Sequence, residues 1–166
     1  MRRHHAVARA WKRYFERGGA RSVQLEPVLR PLPRGTAARP STNLADDARA
    51  DLAVRSCDGR DDFYDVAVID TGAPCYSHKS SAKTLSDYED RKCAQYFDRV
   101  CPFGTFTPLV CSVYGTLAPA AAATAVRVAR GVDANREERD AVVFDLHAAM
   151  LPAAVIKATA LFLRAG

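Results

Sequence analysis

The sequence predicts one mixed α/β domain, with helices packed around a single small sheet. A length of 166 residues suits one domain with a real core. A hydrophobic content of 48% and a charged content of 26% are those of an ordinary globular chain. Segments of helical and strand character follow one another in the order helix, three strands, helix, strand, then helices.

Residues 3 to 17 form the first expected helix, because Val7, Trp11, Tyr14 and Phe15 recur at helical spacing and Gly18-Gly19 stops the run. RSVQLEPVL alternates as a short strand, with Val23 and Leu25 on one face. A loop rich in Pro, Arg and small residues runs from Pro31 to about Asp47. ARADLAVRS reads as the second strand, CDGRDD as a turn centred on Asp58-Gly59, and FYDVAVIDT as the third strand. Beyond Gly72-Ala73-Pro74, a helix is expected from about Ser81 to Val100. FTPLVCSVYG is the fourth strand, and a further helix runs from about Thr116 to Arg130. After Gly131-Val132-Asp133, Arg136 to Leu163 reads as one amphipathic helix with a bend at Pro152. The expected organisation is a domain over 1–130 and a C-terminal helical extension over 131–166.

Charge is unevenly spread. Residues 1 to 40 carry ten Arg or Lys against Glu16 and Glu26, whereas the remainder is slightly acidic. A basic front end on a near-neutral body points to a polyanion, with nucleic acid the first candidate; a solvated basic helix or a targeting segment explains the same charge. Arg3, His5 and Lys12 of the first helix and Arg30, Arg34 and Arg39 of the loop are the expected contacts to backbone phosphates. The opening residues lack the apolar stretch of a signal peptide; an Arg-rich amphipathic start also describes a mitochondrial transit peptide. No apolar run has the length of a membrane span. The five cysteines never form a C-x-x-C pair and read as reduced core thiols of an intracellular protein.

Asp65 interrupts the apolar run Val66-Ala67-Val68-Ile69, and a carboxylate in a buried strand needs a cation or a metal. Asp51 precedes it by fourteen residues across a tight hairpin, so the two acids are expected to converge at one end of the sheet. Such a pair makes a hard oxygen site suited to Mg²⁺, with Mn²⁺ as the other ion of that class. Glu26 is a further candidate ligand from the first strand, and one of His4 and His5 is expected to face the site. Chemistry at such a site wants a cation or general base beside the metal, and Ala67, two residues after Asp65, cannot supply it. Leu85, Tyr88, Lys92 and Tyr96 form one stripe of the following helix. Lys92 either snorkels outward or reaches a buried acid.

These residues resemble a known group. The order helix, three strands, helix, strand looks like the PD-(D/E)XK nuclease core, an αβββαβ restriction-endonuclease-like fold with a small mixed sheet. The closest likeness is to the endonuclease domain of site-specific non-LTR retrotransposons of the trypanosomatid spliced-leader type. RAD at 49–51, YDV at 64–66 and EDRKCAQY at 89–96 match its Arg-Pro-Asp, second acid and displaced lysine with a following tyrosine. RRHHAVARAW, VQLEP and the strand from Phe106 to Gly115 are similar as well, so the likeness spans roughly residues 3 to 130. Ala50 stands where the family has proline. The resemblance implies a metal-dependent endonuclease that nicks target DNA, with Asp51 and Asp65 on the metal. Lys92 would stabilise the pentavalent phosphate or position water, and Tyr96 would orient Lys92 or the scissile phosphate. It further implies duplex DNA and the element's RNA as partners, and a nuclear location. The sequence contains neither the Tyr-x-Asp-Asp of a polymerase nor a cysteine–histidine knuckle, so the nuclease is expected apart from its reverse transcriptase. An inactive remnant that binds nucleic acid, or serves only as a structural domain, is the alternative expectation.

Overall fold

The computed structural model describes residues 2–29, 49–56, 59–100 and 104–131. Helix α1 spans Arg2–Arg17, strands β1, β2 and β3 span Ser22–Leu25, Leu52–Arg55 and Asp61–Ile69, helix α2 spans Ser81–Val100, strand β4 spans Thr105–Ser112 and helix α3 spans Pro119–Gly131. The sheet order is β1-β2-β3-β4. The first three strands are antiparallel, and β4 runs parallel to β3. The architecture is therefore mixed α/β, a small mixed sheet with helices against both faces.

Alternation along the strands decides which helix covers which face. Leu52, Val54, Tyr64, Val66, Leu109 and Cys111 pack with Val7, Trp11, Tyr14 and Phe15 of α1 and Ala121, Ala125 and Val128 of α3. On the opposite face, Ala67, Ile69 and Val110 pack with Leu85 of α2. Farther along α2, Tyr96 and Val100 meet Phe63, Phe106, Leu29 and Ala50. Phe63, Asp65, Ala67 and Ile69 thus share the face beneath α2. The Tyr14 hydroxyl donates to the carbonyl of Ala125 at 2.6 Å, tying α1 to α3.

Local chemistry sets the element ends. The Ser80 hydroxyl accepts the N–H of Lys83 at 3.2 Å and caps α2. Gly19, at φ 83°, turns the chain out of α1. Gly104 precedes β4 because a Cβ there would fall 2.0 Å from the carbonyl oxygen of Asp61.

Every strand has bounds that differ from the sequence expectation, β1 ending at Leu25 and β4 at Ser112, and three differences bear on the site and its surroundings. The second strand is only Leu52–Arg55, so Asp51 stands in the bend before it. That bend forms because Glu26, in the left-handed region at φ 51°, turns its N–H onto the Asp51 carbonyl at 2.9 Å. The third strand begins at Asp61, two residues early. Helix α3 starts at Pro119 rather than Thr116, since the chain first folds back along β4: Ser112 donates to Thr116 at 2.8 Å and Ala118 to Val110 at 3.0 Å. The cysteine expectation also needs correction, for Cys111 is buried but Cys75 and Cys93 are exposed. The long helix expected from Arg136 to Leu163, the Pro-rich loop, Cys57 and Cys101 lie outside the described residues. Among the described residues no helix is long and apolar enough to cross a membrane.

Candidate active site

Asp65 is 5% exposed on the α2 face of β3. From α2, Lys92 brings Nζ to 2.8 Å from Asp65 Oδ2, with only 17% of the lysine side chain exposed. Oδ2 is buried, and Lys92 is the cation that compensates its charge. Burial pushes the Asp65 carboxyl above its ordinary range, and the Lys92 charge offsets only part of that push.

Asp51 stands one step beyond the last paired residues of β2 and β3, Leu52 and Tyr64. Its backbone N–H donates to Tyr64 at 2.9 Å, which continues the ladder into the bend. The carboxylate is held at both oxygens. The N–H of Val66 donates to Oδ2 at 2.6 Å, and His4 Nε2 lies 3.0 Å from Oδ1. The bond to Asp51 holds the His4 imidazole above its ordinary pKa, against the opposing effect of burial. Ala50, buried at 1%, donates its N–H to Pro27 at 3.2 Å, a bond that proline at this position would not make.

Tyr96 stacks on Phe106 at 4.7 Å, and its hydroxyl donates to the Arg49 carbonyl at 3.4 Å. Its ring centroid lies 5.6 Å from Lys92 Nζ. Burial, followed by the charge of Asp65, raises its pKa far above that of a free tyrosine. Asp51, Asp65, Lys92 and Tyr96 thus line one cleft of about 740 Å³, together with His4, Arg49, Tyr88 and the β3 segment from Val66 to Ile69.

The other expected residues are elsewhere. His5 sits edge-on to His4 with ring centroids 5.4 Å apart, and lies 3.8 Å from a Glu26 carboxylate that is more than half exposed. Neither His5 nor Glu26 lines the cleft. Lys12 pairs with Glu16 and donates to the Val23 carbonyl at 3.0 Å, linking α1 to β1. Arg3 belongs to α1, its side chain outside the described residues, as are Arg30, Arg34 and Arg39.

Of the residues lining the cleft, Arg49 was not singled out in the sequence, and His4 only as one of a pair with His5. Arg49 lines the cleft as a cation without an ion-pair partner among the described residues. His4 was distinguishable from His5 by periodicity, since His4, Ala8, Trp11 and Phe15 form the buried stripe of α1. His5, Arg9, Lys12 and Glu16 form the outer one.

Chemically, the cleft offers two carboxylates, Asp51 beside the His4 imidazole and Asp65 beside the Lys92 ammonium. Among the described residues no group of three or more His, Cys, Asp and Glu side chains is arranged to hold a metal. Two carboxylates still meet the needs of Mg²⁺, which keeps most of its waters and takes few protein ligands. Asp65 Oδ2, buried beside Lys92, is a hard oxygen of the required kind. No protein-family model matches the sequence, and no curated protein matches it either.

Proposed function

We propose that this chain is a metal-dependent DNA endonuclease domain of the restriction-endonuclease-like type, derived from a non-LTR retrotransposon and nicking DNA by phosphodiester hydrolysis. One observation carries the reading. Asp51, just before β2, and Asp65, on the adjacent strand β3, line one cleft with a lysine that α2 delivers to 2.8 Å from Asp65. The element order α1-β1-β2-β3-α2-β4 supports it as well.

Asp51 and Asp65 would hold the ion, Mg²⁺ or Mn²⁺. When bound, it supplies charge neutralisation at the phosphate and water activated for attack. Lys92, released from full pairing with Asp65, turns its ammonium to the pentavalent phosphate or the attacking water. Tyr96 keeps Lys92 on this side by packing beneath its chain. Arg49 binds the entering phosphodiester through its guanidinium, a contact to backbone rather than base. The Phe106 stack and the Val66 N–H fix Tyr96 and Asp51, so the site is held ready before substrate enters.

A second reading, an inactive remnant that binds nucleic acid, draws on the two internal pairs. With His4 on Asp51 and Lys92 on Asp65, both acids are compensated without a metal. Supercoiled plasmid separates the readings. The endonuclease gives open circles in Mg²⁺ and none in EDTA; the remnant shifts DNA in a gel with a steep salt dependence and leaves it uncut in either.

A further inference from the structure

The geometry points to His4 as the residue that positions Asp51 for its ligand, an assignment that rests on the endonuclease reading. Asp51 needs such a partner. It stands in a bend outside the β2 ladder, so strand packing does not fix its side-chain torsions. One oxygen is held by the main chain of β3, through Val66 N–H at 2.6 Å. That bond alone leaves the carboxylate free to pivot about Oδ2. His4 Nε2, at 3.0 Å from Oδ1, removes the pivot from the opposite side.

The bond joins residues 47 positions apart, from α1 to the sheet end. Docking of α1 does not depend on it, because Val7, Trp11, Tyr14 and Phe15 are buried at 0 to 3%. His4 itself keeps 36% of its side chain exposed, at the rim where the cleft opens. The donor required is the Nε2–H, present in the imidazolium and in one neutral tautomer alike. A ring placed here serves the carboxylate rather than the core. Partners that orient a ligand in this way change metal affinity about 10- to 100-fold when removed.

The test uses the full chain and Mn²⁺, followed by its electron paramagnetic resonance signal. His4→Ala is expected to weaken Mn²⁺ binding by about 10-fold or more, with its melting temperature close to that of the wild type. His4→Gln, whose amide nitrogen reaches the same point, is expected to recover most of that loss. Mn²⁺ binding by His4→Ala as tight as by the wild type would overturn the assignment. So would a His4→Gln variant no better than the alanine one. Failure of the wild type to bind Mn²⁺ at all would instead overturn the endonuclease reading, and this assignment with it.

Discussion

Two aspartates three residues apart on β3 face opposite layers of the molecule, and their surroundings differ in kind. Asp62 looks toward α3, where it accepts from the Thr105 hydroxyl, receives Ser56 at 3.5 Å and lies 3.9 Å from Arg127. It borders a second cleft of about 630 Å³ that also contains Arg60, Thr107 and Thr124. Asp65 looks toward α2, is 5% exposed and has the Lys92 ammonium at 2.8 Å. A structural acid is satisfied by neutral donors and touched only at its margin by a cation. An acid of the reactive kind is desolvated and compensated by a neighbouring charge. By that criterion the α2 cleft is the candidate for chemistry, and the α3 cleft serves as its comparison.

Breaking the cation on each side gives the largest contrast. Removing the partner of a buried charge costs about 3 kcal/mol or more. Lys92→Met is therefore expected to lower unfolding stability by about that amount at neutral pH, as read from urea denaturation. Arg127 is 58% exposed and donates to the buried Tyr64 hydroxyl at 2.8 Å. Its replacement by Met is expected to cost about 1 kcal/mol, mostly from the lost donor to Tyr64. Equal losses in the two variants would erase the distinction.

A smaller effect follows from the raised Asp65 pKa. Between the ordinary value of 3.8 and the elevated one, the folded chain holds a proton that the unfolded chain has released. Stability from this group is therefore present below that window and declines as pH rises through it. Relative to Asp65→Asn, the wild type is expected to lose up to about 1.4 kcal/mol per pH unit across the window. A difference between the two that stays flat with pH would show that Asp65 is not desolvated.

The smallest effect distinguishes the two exposed arginines. Arg49→Ala is expected to reduce the salt slope of DNA binding by about 0.9, one phosphate contact, while Arg127→Ala leaves it unchanged. The reverse ranking would move the nucleic acid to the α3 side.

Much of this was legible in the sequence, for physical reasons. Helix α2 has the bounds its periodicity predicts, and the stripe Leu85-Tyr88-Lys92-Tyr96 lies against the sheet as a period of 3.6 requires. Asp65 was conspicuous because a carboxylate in an apolar strand demands a partner. The location of Asp51 was not legible: a left-handed Glu26 ends β1 early, and no periodic signal marks a single residue at positive φ. Helix α3 began late because residues 116 to 118 answer the open edge of β4, a tertiary bond rather than a local preference. Net charge drew attention to the outer face of α1. The cleft instead uses His4 and Arg49, found by facing and burial rather than by charge.

The most direct measurement is plasmid nicking in Mg²⁺ by the wild type and by Asp65→Ala, Lys92→Ala and Asp62→Ala, each checked for folding by circular dichroism. The expected result is nicking by the wild type and Asp62→Ala, and its loss in Asp65→Ala and Lys92→Ala. Nicking that survives in the latter two, or no metal-dependent nicking by the wild type, would contradict the assignment of the α2 cleft as the active site.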